Sequence, residues 1–199
     1  MLKKILVTGA GGYIGTLLVP LLLKKKYKVV ALDRFYFGLD YFNNFKKNKN
    51  LEIIKKDIRQ LSKKDFFNID TVIDLAALSN DPSCELDINL TKDINYFGRL
   101  NCAKMAKMAG VKKYIFSSTC SVYGDTKSQI LSETSATKPI SEYAKSSLKV
   151  EHELLNDLSD KNFFISIVRN GTLFGLSPRM RYDLVVNLMT LSVYEERKI

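Results

Sequence analysis

The stretch Lys4-Ile-Leu-Val-Thr-Gly-Ala-Gly-Gly-Tyr-Ile-Gly15 predicts how this chain folds. It joins a short apolar strand to an amphipathic helix through a glycine-rich turn, in which Gly9, Gly12 and Gly15 recur at every third residue. The first glycine permits a tight turn, the second lets backbone N–H groups approach a pyrophosphate, and the third lets the helix pack closely on the strand. The positive end of the helix dipole also attracts phosphate. The stretch therefore predicts a dinucleotide-binding turn that includes Tyr13 and Ile14.

An acidic residue, Asp33, follows the next apolar run, Lys28–Leu32. At the end of a second strand, a carboxylate accepts hydrogen bonds from the adenosine ribose hydroxyls and repels a 2′-phosphate. Asp33 therefore favours NAD over NADP, whereas the adjacent Arg34 weakens that preference.

Further along the chain, short apolar runs alternate with longer amphipathic segments, as in βαβ units with a parallel sheet. The predicted strands are Lys4–Thr8, Lys28–Leu32, Leu51–Lys55, Thr71–Leu75, Lys113–Ser117 and Phe163–Val168. The predicted helices are Tyr13–Lys25, Glu85–Ala109, Glu142–Asp157 and Asp183–Glu195. We therefore predict an α/β protein with a Rossmann-type doubly wound parallel sheet over residues 1–169. Residues 170–199 are too few for an independent domain.

Composition excludes several classes of protein. The 199 residues are 46% hydrophobic and 26% charged, which is typical of a soluble globular chain. No apolar run is long enough for a transmembrane helix, and the basic N-terminus lacks the apolar core of a signal peptide, so we expect a cytoplasmic protein. The net charge of +10 is spread over scattered lysines, with no nucleic-acid-binding motif. Cys84, Cys102 and Cys120 lack metal-ligand spacing, so we expect small packed residues and no metal.

Several ordered motifs together resemble the extended short-chain dehydrogenase/reductase family, the NAD-dependent epimerases and dehydratases of nucleotide sugars. The motifs are Thr8–Gly15 (TGxxGxxG), Asp57-Ile58 (an adenine contact), Leu75-Ala76-Ala77 (a cofactor-side turn), Asn95 (a helix asparagine), Ser117–Gly124 (SS[ST]xxVYG) and Tyr143, which begins the expected YxxxK motif. The resemblance implies an NAD cofactor held by these segments, a nucleotide-diphosphate sugar as substrate, and a homodimer formed through the two central helices.

The resemblance also implies roles for two hydroxyl side chains. Thr119 would bind the sugar hydroxyl that is oxidised, and Tyr143 would remove its proton while hydride moves to the nicotinamide. Dehydratases of the family carry an Asp-Glu pair after the threonine, where this chain has Cys120 and Ser121. The sequence therefore favours an epimerase or a simple sugar oxidoreductase over a 4,6-dehydratase.

The main departure from the family pattern lies four residues after the tyrosine, where Ser147 replaces the expected lysine. Measured from Tyr143 at 100° per residue, Lys145 is rotated about 200° and Lys149 about 240° around the helix, so neither shares its face. Without a nearby cation, Tyr143 stays protonated near neutral pH, while Ser147 retains a hydroxyl for the nicotinamide ribose. We therefore expect NAD binding with weak or no turnover.

Simpler interpretations stay open at this stage. Thr119 alone is compatible with a capping residue at a strand end, and Tyr143 with an ordinary helix aromatic. The whole chain is also compatible with a catalytically silent NAD-binding module that serves as a sensor or scaffold. Near the end, Val168–Gly175 resembles the family's RxxNxYG segment, with Thr172 at the asparagine position. The resemblance implies that residues 170–199 begin an incomplete substrate-binding region.

Overall fold

The computed structural model describes residues 3–125 and 130–197. Their centre is a six-stranded parallel sheet in the order β3-β2-β1-β4-β5-β6, which is the Rossmann order of a doubly wound fold. The strands are β1 (Lys4–Thr8), β2 (Lys28–Asp33), β3 (Leu51–Lys55), β4 (Thr71–Asp74), β5 (Lys113–Thr119) and β6 (Phe164–Asn170). Each predicted strand is present, with ends that differ by at most two residues. The predicted fold class is confirmed.

Helices cover both faces of this sheet. They are α1 (Gly15–Lys24), α2 (Asp81–Leu86), α3 (Ile88–Lys92), α4 (Arg99–Met108), α5 (Glu142–Glu153) and α6 (Val185–Glu196). Wider π-helical turns connect α3 to α4 (Asp93–Gly98) and extend α5 (Leu154–Leu158). Shorter 3₁₀ turns occur at Asp40–Phe45, Ile58–Gln60, Lys63–Phe66 and Cys120–Tyr123. No helix in the described ranges is long and apolar enough to cross a membrane.

The two faces of the sheet carry separate apolar cores because side chains alternate along each strand. In β1, Leu6 packs into one core together with Phe66, Tyr114 and Phe116. Its neighbour Val7 points the other way, into a core formed largely by α1 and β2. Burial on both faces explains why the strands are almost continuously apolar.

The predicted single helix Glu85–Ala109 is wrong at its start. Asp87 has extended backbone torsions and separates α2 from α3. Its carboxylate accepts a hydrogen bond from the N–H of Leu90 at 2.9 Å and so caps α3. A short polar side chain that competes for backbone N–H groups favours such a cap over a helix interior, which explains the break.

Strands β1 and β4 are neighbours, although β1 connects first to β2 on its other side. Strand order therefore reverses at β1, and the loops that leave β1 and β4 run to opposite faces of the sheet. A crevice opens between such loops at the carboxyl ends of the strands, where ligands bind in open α/β sheets.

Candidate functional site

A cleft of about 770 Å³ opens at this reversal of strand order. It is lined by nearly all the residues that the sequence predicts for the site: Gly9, Gly12, Tyr13, Ile14, Gly15, Asp33, Arg34, Asp57, Ile58, Leu75, Ala76, Ala77, Ser117, Thr119 and Tyr143. Asn95 and Ser147 are fully buried and lie behind the cleft wall.

The glycine turn has the shape of a phosphate cradle. A Cβ on Gly15 would lie 2.4 Å from the carbonyl oxygen of Gly9, and a Cβ on Gly9 would lie 2.8 Å from the backbone nitrogen of Ala76. Both approaches are too close for any residue with a side chain. Helix α1 begins immediately after this turn, and no side chain of the described residues caps it. The N–H groups of Thr16 and Leu17 donate to the carbonyl oxygens of Gly12 and Ile14, so a phosphate would be met by the turn that precedes them and by the positive end of the helix dipole. The turn therefore fits the pyrophosphate of a dinucleotide.

The carboxylate of Asp33 lies at the end of β2 beside the glycine turn. It accepts hydrogen bonds from the N–H of Gly11 at 3.0 Å and from the N–H of Phe35 at 2.6 Å. Each oxygen of a carboxylate offers two acceptor positions, so Asp33 retains capacity for ribose hydroxyls. The neighbouring guanidinium of Arg34 lies over the ring of Tyr36 and 3.2 Å from Asp57, away from the carboxylate of Asp33.

The loop after β3 closes one end of the cleft. Asp57 accepts hydrogen bonds from the backbone and the guanidinium of Arg59, at 2.9 Å for the N–H and 2.8 Å for Nη2. The hydrogen bonds from Arg59 hold the pKa of the Asp57 carboxyl below its ordinary value. Asp57 is thus an ionised cap of the turn Ile58–Gln60, which fixes the position of the Ile58 side chain on the cleft wall.

The loop after β4 is tied to β1 by Thr8. The Thr8 hydroxyl oxygen accepts hydrogen bonds from the N–H groups of Leu75 at 3.1 Å and Ala76 at 3.2 Å. Further along this loop, the amide of Asn95 accepts from the N–H of Leu78 and donates to its carbonyl, both at 2.8 Å. Asn95 therefore shapes the loop from behind, and it does not line the cleft.

Thr119 and Tyr143 meet on the opposite wall of the cleft. Thr119 ends β5, and its hydroxyl oxygen accepts from the N–H of Ser121 at 3.1 Å, so it also caps the following turn. Tyr143 lies in the first turn of α5, whose N-cap is Ser141. Burial raises the pKa of the Tyr143 phenol, while the charge of Arg99 and hydrogen bonding with the Thr119 side chain act in the lowering direction.

Ser147 lies one helical turn beyond Tyr143, and its hydroxyl is buried with no hydrogen-bond partner among residues 3–125 and 130–197. The two lysines nearby in sequence do not replace the absent cation. Lys145 is exposed, and the Lys149 ammonium lies 4.0 Å from the centre of the Tyr96 ring. Helix α5 therefore supplies no positive charge next to the Tyr143 phenol.

Sequence reasoning missed a buried ion pair beside the cleft. The Nε of Arg99 donates to the carboxylate of Asp74 at 3.1 Å, and both side chains are at most 1% exposed. Arg99 also donates from Nη2 to the carbonyl oxygen of Ser117 at 2.7 Å, and its guanidinium lies 3.9 Å from the centre of the Phe116 ring. The spacing from Asn95 could have predicted that Arg99 is buried. Arg99 follows Asn95 by four residues, and helix positions i and i+4 share a face.

A second buried pair supports β5 from the other side. Arg169 donates to the carboxylate of Glu151 at 2.6 Å, and Glu151 also accepts from the hydroxyl of Ser118. The hydrogen bond to Glu151 raises the pKa of Arg169. Cys120 contradicts the expectation of a packed cysteine, because it is exposed on the cleft wall; Cys84 and Cys102 are buried as expected. Cys120 follows the end of β5, where the chain turns outward over the cleft.

The segment after β6 returns across the sheet to the glycine turn. The hydroxyl of Tyr13 donates to the carbonyl oxygen of Gly175 at 2.6 Å, and the hydroxyl of Ser177 donates to the carbonyl oxygen of Tyr13 at 2.7 Å. Further along, the Arg179 guanidinium lies 3.7 Å from the centre of the Phe37 ring, and Arg181 donates to the Ser79 hydroxyl at 2.9 Å. This segment therefore forms part of the cleft wall. The resemblance implied a substrate-binding region over residues 170–199, but it did not predict these contacts with the glycine turn.

A family model described as the NAD dependent epimerase/dehydratase family matches residues 5–198. A curated relative, UDP-glucuronate 4-epimerase of Thermodesulfobacterium geofontis, is 31% identical over 98% of this chain and 62% of its own length. The chain thus spans about three-fifths of that relative. The crystal structure of UDP-glucuronic acid 4-epimerase from Bacillus cereus with UDP-glucuronic acid and NAD superposes with a TM-score of 0.86, at 30% identity, over 98% of this chain and 64% of that one.

A third similar protein is UDP-N-acetylglucosamine 4-epimerase from Methanobrevibacter ruminantium, with a TM-score of 0.83 and 29% identity over 92% of this chain and 58% of that one. The fold defines a Rossmann-type protein, and the shape of the cleft fits a dinucleotide. This chain belongs to the NAD-dependent epimerase/dehydratase family, whose cofactor is NAD.

Proposed function

We propose that this chain is the cofactor-binding part of an NAD-dependent epimerase or oxidoreductase that acts on a nucleotide-diphosphate sugar. The observation that carries the proposal is the meeting of Thr119 and Tyr143 in the same cleft as the glycine turn and Asp33. The relatives, which include UDP-glucuronate and UDP-N-acetylglucosamine 4-epimerases, support this class of substrate.

The residues of the cleft divide into binding and chemical groups. Gly9, Gly12 and Gly15 with the start of α1 would hold the pyrophosphate, and Asp33 would accept from the adenosine ribose. NAD, when bound, accepts a hydride from the sugar carbon that is oxidised. At the opposite wall, Thr119 would hydrogen-bond the hydroxyl on that carbon, and the Oη of Tyr143 would take its proton.

Ser147 reduces the proton-accepting power of Tyr143 in this proposal. Burial raises the pKa of the phenol, and the buried hydroxyl of Ser147 carries no charge to oppose that effect. At neutral pH only a small fraction of Tyr143 is therefore phenolate. We propose that NAD binding is retained while turnover is much slower than a lysine at position 147 would allow.

A catalytically silent NAD-binding module with a sensor or scaffold role is the second candidate. The uncharged, unpartnered hydroxyl of Ser147 favours it, because the dinucleotide cradle is complete without the charge that the reaction needs. In this alternative the chain binds NAD as an equilibrium ligand, and its partner senses the occupied state.

We further propose a cytoplasmic homodimer formed through the two central helices, which are the segment from α3 to α4 and helix α5. Three apolar side chains of the first segment, Leu90, Phe97 and Met108, are exposed, and we call them the apolar stripe. A π-helical turn, Asp93–Gly98, contains Phe97, so the exposure of these side chains supports the interface and their spacing does not. Such a stripe is typical of a surface that a second copy covers.

The deciding experiment mixes the purified chain with NAD and a panel of nucleotide-diphosphate sugars, follows NADH by its absorbance and follows the epimeric sugar by chromatography, because an epimerase returns the hydride and accumulates no NADH. The proposed function predicts slow formation of NADH or of an epimer with at least one sugar, which the Tyr143→Phe variant abolishes without weakening NAD binding by calorimetry. Tight NAD binding with neither NADH nor an epimer from any sugar, also after Ser147→Lys, would establish the silent module instead. The same panel should include non-nucleotide sugars, which we expect to be inactive.

A further inference from the structure

We propose that Arg99 supplies a positive charge that partly stabilises the Tyr143 phenolate, so that the proton transfer left in this chain without a lysine at position 147 depends on helix α4. This inference rests on the proposed function, because it concerns the group that takes the proton. Arg99 does not touch the reacting atoms in this scheme. It is a positioning residue that acts through the electric field at Tyr143.

The first observation is where the guanidinium is held. Arg99 is the largest of the fully buried side chains, and its Nη2 donates to the carbonyl oxygen of Ser117 at 2.7 Å. Ser117 lies two residues before Thr119 on β5 and lines the cleft. The charge is therefore anchored to the strand that carries Thr119, directly behind the cleft wall.

The second observation is that the charge is fixed and poorly screened. An arginine does not lose its proton in a protein, and stacking on the Phe116 ring with hydrogen bonds to Asp74 and Ser117 allows it little freedom. Water weakens the field of exposed charges strongly, whereas a charge behind a dry wall acts over several ångströms. The Arg99 charge lowers the pKa of Tyr143, against the larger raising effect of burial.

The third observation is that two other cations near the cleft are paired with carboxylates: Lys92 of α3 lies 3.9 Å from Glu142, and Arg181 on the cleft wall lies 2.6 Å from Asp183. On the helix that carries Tyr143, Lys145 is exposed and Ser147 is uncharged. Helix α2, which packs against α5, carries Asp81 and Cys84, and both act to raise the pKa of Tyr143. Strand β5 contributes only the neutral hydroxyl of Thr119.

The negative charge of Asp74 weakens the electric field of Arg99 at Tyr143, because the two side chains form an ion pair. It is itself fixed by donors other than Arg99, namely the hydroxyl of Thr8 at 2.6 Å and that of Tyr114 at 2.9 Å. These hydrogen bonds give the carboxylate partners that remain after Arg99 is changed. Opposite charges have opposite effects on a nearby phenolate, so changing Asp74 and Arg99 separately distinguishes a field effect from damage to the fold.

The test measures the acidity of position 143 directly, without substrate or turnover. A difluorotyrosine, whose phenol titrates near neutral pH, is placed at position 143 in the whole chain, and its ¹⁹F resonance is followed against pH. In Arg99→Met we expect the apparent pKa to rise by about one unit, a tenfold loss of phenolate at a fixed pH. In Asp74→Asn we expect it to fall, and in Arg99→Lys to stay close to the parent.

Lys107→Met is the matched control, since Lys107 lies on the same helix and pairs with Asp160 away from the cleft. It should leave the titration unchanged. If Arg99→Met fails to fold, the double variant Asp74→Asn/Arg99→Met removes both buried charges together. Asp74→Asn alone still tests whether the pKa of position 143 shifts in the expected direction. An unchanged pKa in a folded variant without Arg99, or a rise in Asp74→Asn, overturns the proposal. These outcomes are independent of whether any sugar is oxidised, so failure of the proposed function is recognised separately.

Discussion

The carboxylate of Asp33 accepts a hydrogen bond from the backbone N–H of Gly11 at 3.0 Å, which joins the end of β2 to the turn that follows β1. One side chain thus shapes the glycine turn and faces the cleft where a ribose would lie. The two functions make Asp33 the most informative position for tests of cofactor binding.

We expect Asp33→Asn to weaken NAD binding about tenfold, because a hydrogen bond from a ribose hydroxyl to a charged acceptor contributes about 1.5–3 kcal/mol. Binding of NADP should weaken less, since the repulsion of the 2′-phosphate also disappears. Isothermal calorimetry with both dinucleotides measures the two changes. Asp40→Asn, at an exposed carboxylate outside the cleft, serves as the control and should leave both affinities unchanged. Equal losses for NAD and NADP would contradict the predicted discrimination.

We expect Gly15→Ala to destabilise the fold by about 1–3 kcal/mol, the range for forcing an extra methyl group into packed surroundings. The added Cβ would lie 2.4 Å from the carbonyl oxygen of Gly9 and 2.5 Å from that of Ala10, and neither backbone group is free to move. Urea unfolding measures the loss. Gly171→Ala, where no atom lies within 4 Å of the added Cβ, should change the free energy of unfolding by well under 1 kcal/mol. Similar losses at both positions would show that the close approach in the turn is not the cause.

These two predictions rest on features that could be predicted from the sequence. The glycine turn and Asp33 belong to one contiguous βαβ unit, in which spacing along the chain determines position in space. The pair of Arg99 with Asp74 was not predictable in this way, because its contact depends on how α4 packs behind the sheet. Nor did the helical pattern reveal the break at Asp87, because local capping competed there with helix continuation.

We expect Ser147→Lys to increase turnover at neutral pH by at least tenfold if the proposed chemistry is correct. A cation about 6 Å from the phenol, at an effective dielectric constant near 20, stabilises the phenolate by roughly 3 kcal/mol. Because burial raises the pKa of Tyr143, activity of the parent chain should increase with pH through the alkaline range, and the variant should reach its plateau at lower pH. Steady-state rates across a pH series test this. Lys145→Ala, at an exposed position, should leave the profile unchanged, and an unshifted profile in Ser147→Lys would refute the electrostatic explanation.

We expect Asp65→Asn to cost about 1–2 kcal/mol of stability at neutral pH, through loss of hydrogen bonds to a charged acceptor. Burial raises the pKa of the Asp65 carboxyl, but hydrogen bonds from Lys56 and Ser62 together lower it by more. The pKa in the folded state therefore lies below the pKa in the unfolded state. The contribution is therefore complete above the unfolded pKa near 3.9 and disappears as pH falls through the folded pKa. Chemical unfolding of parent and variant from pH 7 to pH 2 should show their difference shrinking on acidification. Glu52→Gln, at a largely exposed pair with Lys4, should show little difference at any pH.

We expect Phe97→Asp to shift the chain from dimer to monomer, because it places a charge in the exposed apolar stripe of the central helices. Sedimentation velocity measures the assembly state. Phe67→Asp changes an even more exposed aromatic outside that stripe and should leave the assembly state unaltered. A parent chain that is monomeric at high concentration would contradict the proposed interface.

The hydrogen bonds between Tyr13 and the segment around Gly175 and Ser177 join residues more than 160 positions apart. Contacts of such separation form late, because the loop between them must close before they contribute any free energy. During synthesis the glycine turn leaves the ribosome more than 160 residues before the segment that packs on it. A nascent chain therefore carries an uncovered turn while those residues are made, and a ligand that needs the covered turn adds its free energy only after they have packed.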